Sequence, residues 1–326
     1  MRGSSLLYVL LLCLGAGLGL AAAGQPAQLP LSTLKPAVTF ELGGDPDWMV
    51  LTGDTVWISN DKLKAVQRID PFANAVVAKV DLPAVPCSGL AIGFGSLWVP
   101  LAGTPRTLAK VDLAKNQVTA VLPFGTDDDE GGIAVSDDSV WIVIDAKGTL
   151  ARIDPISNSI RQRISLAPGS HNPLFSDGVV WVTGCYSDVL TAVDAESGRV
   201  LGVVHVGPRP RFLAAGDGAI WTLNQGDGSV TRVDATHRRV TATIPARSPG
   251  HGGEICFGAG SVWTTVMGVP LTRIDAKTNT VTGQWTGDGG DSVRFGLDSI
   301  WLTDLRHGRL WRFPLTTSGL GVDGSR

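Results

Sequence analysis

The sequence predicts an all-β fold, a seven-bladed β-propeller of four-stranded antiparallel blades whose ring is closed by pairing an N-terminal strand with the last blade. Three observations lead there. A tryptophan recurs at Trp57, Trp98, Trp141, Trp181, Trp221, Trp263 and Trp301, with spacings of 38 to 43 residues, and a period of roughly forty marks propeller blades or helical arrays. The segments between these residues are short, rich in Val, Ile and Thr, and broken by clusters such as TGDT, SDDS, GDGA and GAGS. That is the pattern of strands and turns, not of helices. The last copy, VRFGLDSIWLTDLRHGRLWRFPL, stops after three strands, and the missing fourth is offered by AVTFELGG at 37–44.

Taken in order, residues 1–23 carry Arg2, an apolar run from Leu6 to Leu20 and a small-residue AAAG step. These are the parts of a secretory signal peptide. Residues 24–35 are expected to be a linker, 36–316 the propeller and 317–326 a tail. No later stretch approaches the ~20 apolar residues of a spanning helix, so an exported chain, periplasmic or extracellular, without a membrane span is predicted. Closure through both termini predicts a monomer. A net charge of −3 and the lack of a Lys/Arg stripe leave no electrostatic footprint for nucleic acid.

Within each copy, the first strand is an apolar run (GLAIG, ICFG), the second carries the Trp, the third ends in R-I-D or K-V-D, and the fourth resembles VTATI. Blades pack on both faces, which explains apolar runs without clean alternation. The recurring Asp70, Asp112, Asp154, Asp194, Asp234 and Asp275 each open a turn in which the carboxylate can accept backbone N–H bonds. The Trp residues are expected to fill the spaces between blades.

In such a blade, the loops joining fourth to first and second to third strands share one face. These are the segments that vary here, and loops on a rigid scaffold are where binding residues concentrate. His171, Arg209, Arg211, His251 and Glu254 come from three neighbouring loops and combine imidazole bases with guanidinium forks suited to an anion. His251 and His171 are therefore candidate bases for proton abstraction beside a carbonyl. Arg209, Arg211, Tyr186, Asn224, Gln225 and Trp48 are candidate ligand contacts. Asp127, Asp128, Asp129 and Glu130 form an acidic run, and with Glu254 and Asp291 they offer oxygens of the kind magnesium or calcium takes. Cys87, Cys185 and Cys256 follow the leader; a Cys87–Cys185 disulfide requires both loops to lean into the mouth.

The frame G-S-V-W-x-T … R-I-D-x-x-T-N-x-V resembles the seven-bladed propellers of the YVTN-repeat and streptogramin B (virginiamycin B) lyase-like group, along essentially the whole chain after the leader. In the lyases of that group, a His base beside a magnesium held by Glu opens a cyclic depsipeptide by elimination. The resemblance carries that role to His251 and Glu254 of HGGE, with a second acid from Asp288, Asp291 or Glu130. Two functions follow as expectations: a small molecule or protein partner bound at the rim of the channel, or a metal-assisted lyase.

Overall fold

The computed structural model describes residues 26–320; the leader expected at 1–23 and the last residues of the expected tail lie outside them. Seven antiparallel sheets form a ring. The first strands of the blades are Pro46–Leu51, Ala91–Gly93, Ile133–Val135, Ser170–Ser176, Pro210–Gly216, Glu254–Gly258 and Val293–Gly296. They line the axis, and the last of them packs back against the first. Val38–Glu41 pairs antiparallel with Arg309–Pro314 and completes blade seven, Phe40 lying opposite Leu310. The ring is therefore closed by both ends of the propeller.

The segment expected as a linker is more ordered than its composition suggests. Gln28–Pro30 adds a parallel fifth strand to blade six, with Gln28 opposite Gln284. Leu31 and Leu34 are buried with Trp285, Phe313 and Leu320, and Ser318 accepts the Lys35 N–H at 3.1 Å. Burial of these leucines ties both flanks of the propeller to the seam between blades six and seven.

The repeated frame has a physical reason at each position. All seven blade tryptophans are at most 1% exposed. Trp98 packs on Val140, Ile142 and Ile153 of the next blade, and Trp141 on Val180, Val182 and Val193. Removing one such ring would cost about 3–5 kcal/mol. The basic residue of R-I-D is the cross-strand partner of the Trp, as Trp141 is of Arg152, and its cation lies over the indole face. Centroid distances run from 4.9 Å for Arg232 over Trp221 to 5.9 Å for Arg68 over Trp57. The same side chain then reaches the following blade: Arg152 donates to Glu196 O at 2.7 Å, Arg232 to Ala276 O at 2.7 Å, and Arg312 to Pro71 O at 2.7 Å across the closure. In blade four the residue opposite Trp181 is Ala192.

The repeated Asp side chains accept backbone N–H groups in their own turns. Asp70 Oδ1 takes Phe72 and Ala73 at 2.8 and 2.9 Å, and Asp275 takes Lys277 and Thr278. In Asp154 these bonds, together with Arg161, hold the carboxyl down at about 2. The Asn that ends the motif sits in the left-handed region, as at Asn74 with φ 51° and Asn158 with φ 55°, where Asn is among the few side chains commonly accommodated. The frame is thus a core ring, a bond to the next blade and a turn.

Candidate functional site: the mouth of the channel

The variable loops meet on one face of the ring, and one register position organises them. The first-strand residues paired with the blade tryptophans are Val50, Ala91, Ala134, Leu174, Ala214, Cys256 and Arg294. Three residues upstream stand Asp47, Ser88, Gly131, His171, Arg211, Gly253 and Asp291, the column from which polar side chains enter the mouth. Below it, Trp48 of blade one meets Phe212 of blade five across the axis, centroids 5.6 Å apart. They sit in the wall of a cavity of about 100 Å³. The channel is narrow, so a ligand is offered a mouth more than a tunnel.

On the side of blades three to five, the loop entering blade three brings Asp127, Asp128 and Glu130 beneath His171 and Arg211. His171 Nδ1 lies 3.0 Å from Asp127 Oδ2 and 3.3 Å from Asp128 Oδ2. Arg211 Nη2 donates to both oxygens of Asp128 at 3.0 and 2.9 Å, and its Nε faces Glu130 at 3.2 Å. Ser88 braces the loop by donating to Asp128 O at 3.2 Å. Burial pushes the carboxyls of Asp127 and Glu130 up; His171 opposes this at Asp127, and Arg211 opposes it at both. Tyr186, 76% exposed, stands edge-on to the His171 ring at 5.7 Å.

On the side of blades six, seven and one, the acids face one another. Asp47 shares a hydrogen bond with Asp291, whose Oδ1 also accepts the Gly253 N–H at 3.0 Å. Burial first, and then the charges of Asp291, Asp61 and Glu254, hold the Asp47 carboxyl well above the usual range. Asp61 is pushed to about 7 by burial and by Asp45, Asp291 and Asp129, and its buried Oδ1 has no hydrogen-bond partner. Deeper in the wall, Arg294 pairs with Glu254, whose other oxygen accepts Ser292 Oγ–H and the Val293 N–H at 3.2 Å.

The remaining expected site residues are spread over the same face. His251 is exposed, near enough for its charge to bear on Glu130. Glu254 is buried and fully engaged, whereas Asp291 and Glu130 reach the mouth. Arg209 is exposed and uses its backbone N–H on Asp188 at 2.8 Å. The Asn224 amide is held inside its blade by Ser229, Thr231 and Thr222. Gln225 donates to Gly252 O at 3.0 Å and ties two rim loops together. The Cys87–Cys185 bridge is not formed: Cys87, Cys185 and Cys256 are free buried thiols. Cys185 donates to Pro210 O at 2.8 Å, and burial pushes its thiol up to about 11.

Sequence reasoning missed Asp61 and Arg294. A signal for Arg294 was present, because it is the one charged residue in a column otherwise filled by Val, Ala, Leu and Cys. No such signal marks Asp61, which lies in a polar loop like many others.

With that geometry in place, comparison with known proteins adds a likeness of shape. No protein-family profile matches the chain, and no curated protein does. Among solved structures, the crystal structure of the computationally designed Ika8 protein superposes with a TM-score of 0.64 at 10% identity, over 86% of this chain and 99% of its own. The likeness is one of fold. Among the described residues, no helix is long and apolar enough to cross a membrane.

Proposed function

We propose that this chain is an exported binding propeller whose mouth takes a ligand through a positively charged group, a protonated amine or a guanidinium. The observation that carries the reading is the Asp47–Asp291–Asp61 group. Partly buried carboxyls gathered without a cation are unfavourable for the fold alone, and groups perturbed in this way cluster at functional sites. A cation seated among them would replace the proton that Asp61, pushed to about 7, partly retains near neutrality, and would oppose the burial and neighbouring charges that hold Asp47 up. Trp48 and Phe212 beneath offer aromatic surface to the ligand's apolar part. Binding is favoured over elimination because Glu254, the acid that the lyase resemblance pairs with His251, is occupied by Arg294, Ser292 and Val293, while His251 stands exposed.

Calorimetric titration with a short lysine-containing peptide and its Nε-acetylated twin tests this reading. The amine form should bind at least roughly ten-fold more tightly, a difference of about 1.4 kcal/mol. It should release protons on binding and gain affinity from pH 6 to 8, as Asp61 ionises. The Asp47→Asn/Asp291→Asn variant should lose the preference. Equal binding of both peptides, or a preference that survives in that variant, would count against the proposal.

A further inference from the structure

The other side of the mouth carries a different kind of site. Asp127, Asp128 and His171 bring two carboxylate oxygens and an imidazole nitrogen within 4.8 Å of one another. His171 is 3% exposed, and neither of its ring nitrogens makes a hydrogen bond. Nδ1 is nevertheless 3.0 Å from Asp127 Oδ2 and 3.3 Å from Asp128 Oδ2, so both oxygens lie to the side of the direction in which Nδ1 would donate. Both His171 ring nitrogens and Asp127 Oδ1 are left buried without a hydrogen-bond partner, a costly arrangement unless something sits between the imidazole and the acids.

The spacing identifies what would fit. Ligand atoms about 2.1 Å from a metal ion and at right angles to one another stand roughly 3.0 Å apart, and those at a tetrahedral angle roughly 3.4 Å apart. The two distances at His171 fall at and between these values. The oxygens also lie off the nitrogen's axis, as neighbouring ligands on a coordination polyhedron must. We infer that Asp127, Asp128 and His171 form a site for one divalent transition-metal ion of the zinc, cobalt or nickel kind, held through His171 Nδ1 and one oxygen of each carboxylate.

Charge and surroundings agree with this. Asp127, Asp128, Glu130 and Arg211 together leave two negative charges, which one divalent ion neutralises. Arg211 fixes the plane of the Asp128 carboxylate in the manner of an outer-shell partner, and Ser88 pins the Asp128 backbone. The imidazole sets the class of ion, since hard cations such as calcium and magnesium are held by oxygen alone. Three protein ligands leave positions for water or a ligand atom, and Asp128, with its side chain 34% exposed, marks the open side. The site shares the mouth with the amine-binding group and does not depend on it.

The test uses untagged protein from which metal has been stripped by chelation, titrated with Co²⁺ and then Zn²⁺ while visible absorption and calorimetry are followed. Wild type should bind one equivalent of Co²⁺ with a d–d spectrum, lose that spectrum to Zn²⁺, and melt at a higher temperature when loaded. His171→Gln and Asp127→Asn should each weaken binding at least ten-fold while retaining the wild-type circular dichroism, and Arg211→Lys should weaken it less. No saturable binding would overturn the assignment, as would unchanged binding in a folded His171→Gln protein, which would place the metal on one of the exposed His205, His237, His251 or His307. Stabilisation by Mg²⁺ or Ca²⁺ with none by Co²⁺ or Zn²⁺ would overturn it as well. Failure of the lysine peptide to bind would leave these outcomes unaffected.

Discussion

The two sides of the mouth solve the burial of carboxylates in opposite ways. Beside blades three to five, Asp128 and Glu130 are answered by Arg211, and His171 stands against Asp127. Beside blades six, seven and one, Asp47, Asp61 and Asp291 answer one another, with Asp47 held well above the usual carboxylate range and Asp61 pushed to about 7. Arg294, deeper in the wall, is engaged by Glu254. In the first arrangement cationic side chains oppose the effect of burial on Asp127 and Glu130; in the second, neighbouring acids add to it at Asp47 and Asp61. Acidic composition alone does not distinguish the two. What does is whether an Arg occupies the neighbouring position in the column that supplies Asp47, His171, Arg211 and Asp291.

The largest expected effect comes from erasing that difference. Arg211→Met strands Asp128 and Glu130 and should cost about 2 kcal/mol in urea unfolding at pH 7, because breaking a partly buried pair leaves its partners uncompensated. A loss below about 0.5 kcal/mol, the range of an ordinary surface substitution, would mean that the two sides are not electrostatically distinct. A smaller effect of opposite sign is expected from Asp61→Asn. The folded protein holds the Asp61 proton more tightly than the unfolded chain does, so this group's favourable contribution is present in acid and is lost as pH rises from about 4 to about 7. Asn does not titrate. The variant should therefore melt above wild type at pH 8, by about 1 kcal/mol of stability after allowance for solvent screening, with the gap narrowing steadily towards pH 4. A gap independent of pH would assign the effect to packing.

Much of the architecture was legible because the frame repeats: the Trp positions gave the blades, and the truncated last copy gave the closure at Val38–Glu41. The extra strand at Gln28–Pro30 was not legible, since its residues lie outside the repeat and gain order only by pairing with Thr280–Thr286. At the mouth, the loops that carry His171, Arg211 and the acidic run could be placed on one face from their order alone. Which side chains meet there could not. Asn224 and Gln225 looked like ligand contacts, yet their amides go to Ser229, Thr231 and Gly252. Conversely, Asp47 and Asp291 are far apart in sequence and become neighbours because blades one and seven adjoin where the ring closes.

The cation that lies over the Trp in every blade but the fourth, lysine in blade two and arginine in the others, fastens sheet to sheet around the ring where it bonds the next blade's turn. Ala192 removes the fastening between blades four and five, so resistance to opening is not evenly shared around the circle. That joint lies under His171 and Arg211, where Asn172 Nδ2 donates to Arg211 O at 2.6 Å. Amide exchange should reach the strand Val189–Asp194 before its counterparts in the other blades, and a ligand seated across His171 and Arg211 should slow it there most. Here the bonds across the joint come from the mouth side instead, from Asn172, Thr183 and Cys185, which gives the ring a place where occupancy on the surface is felt as stiffness in the body.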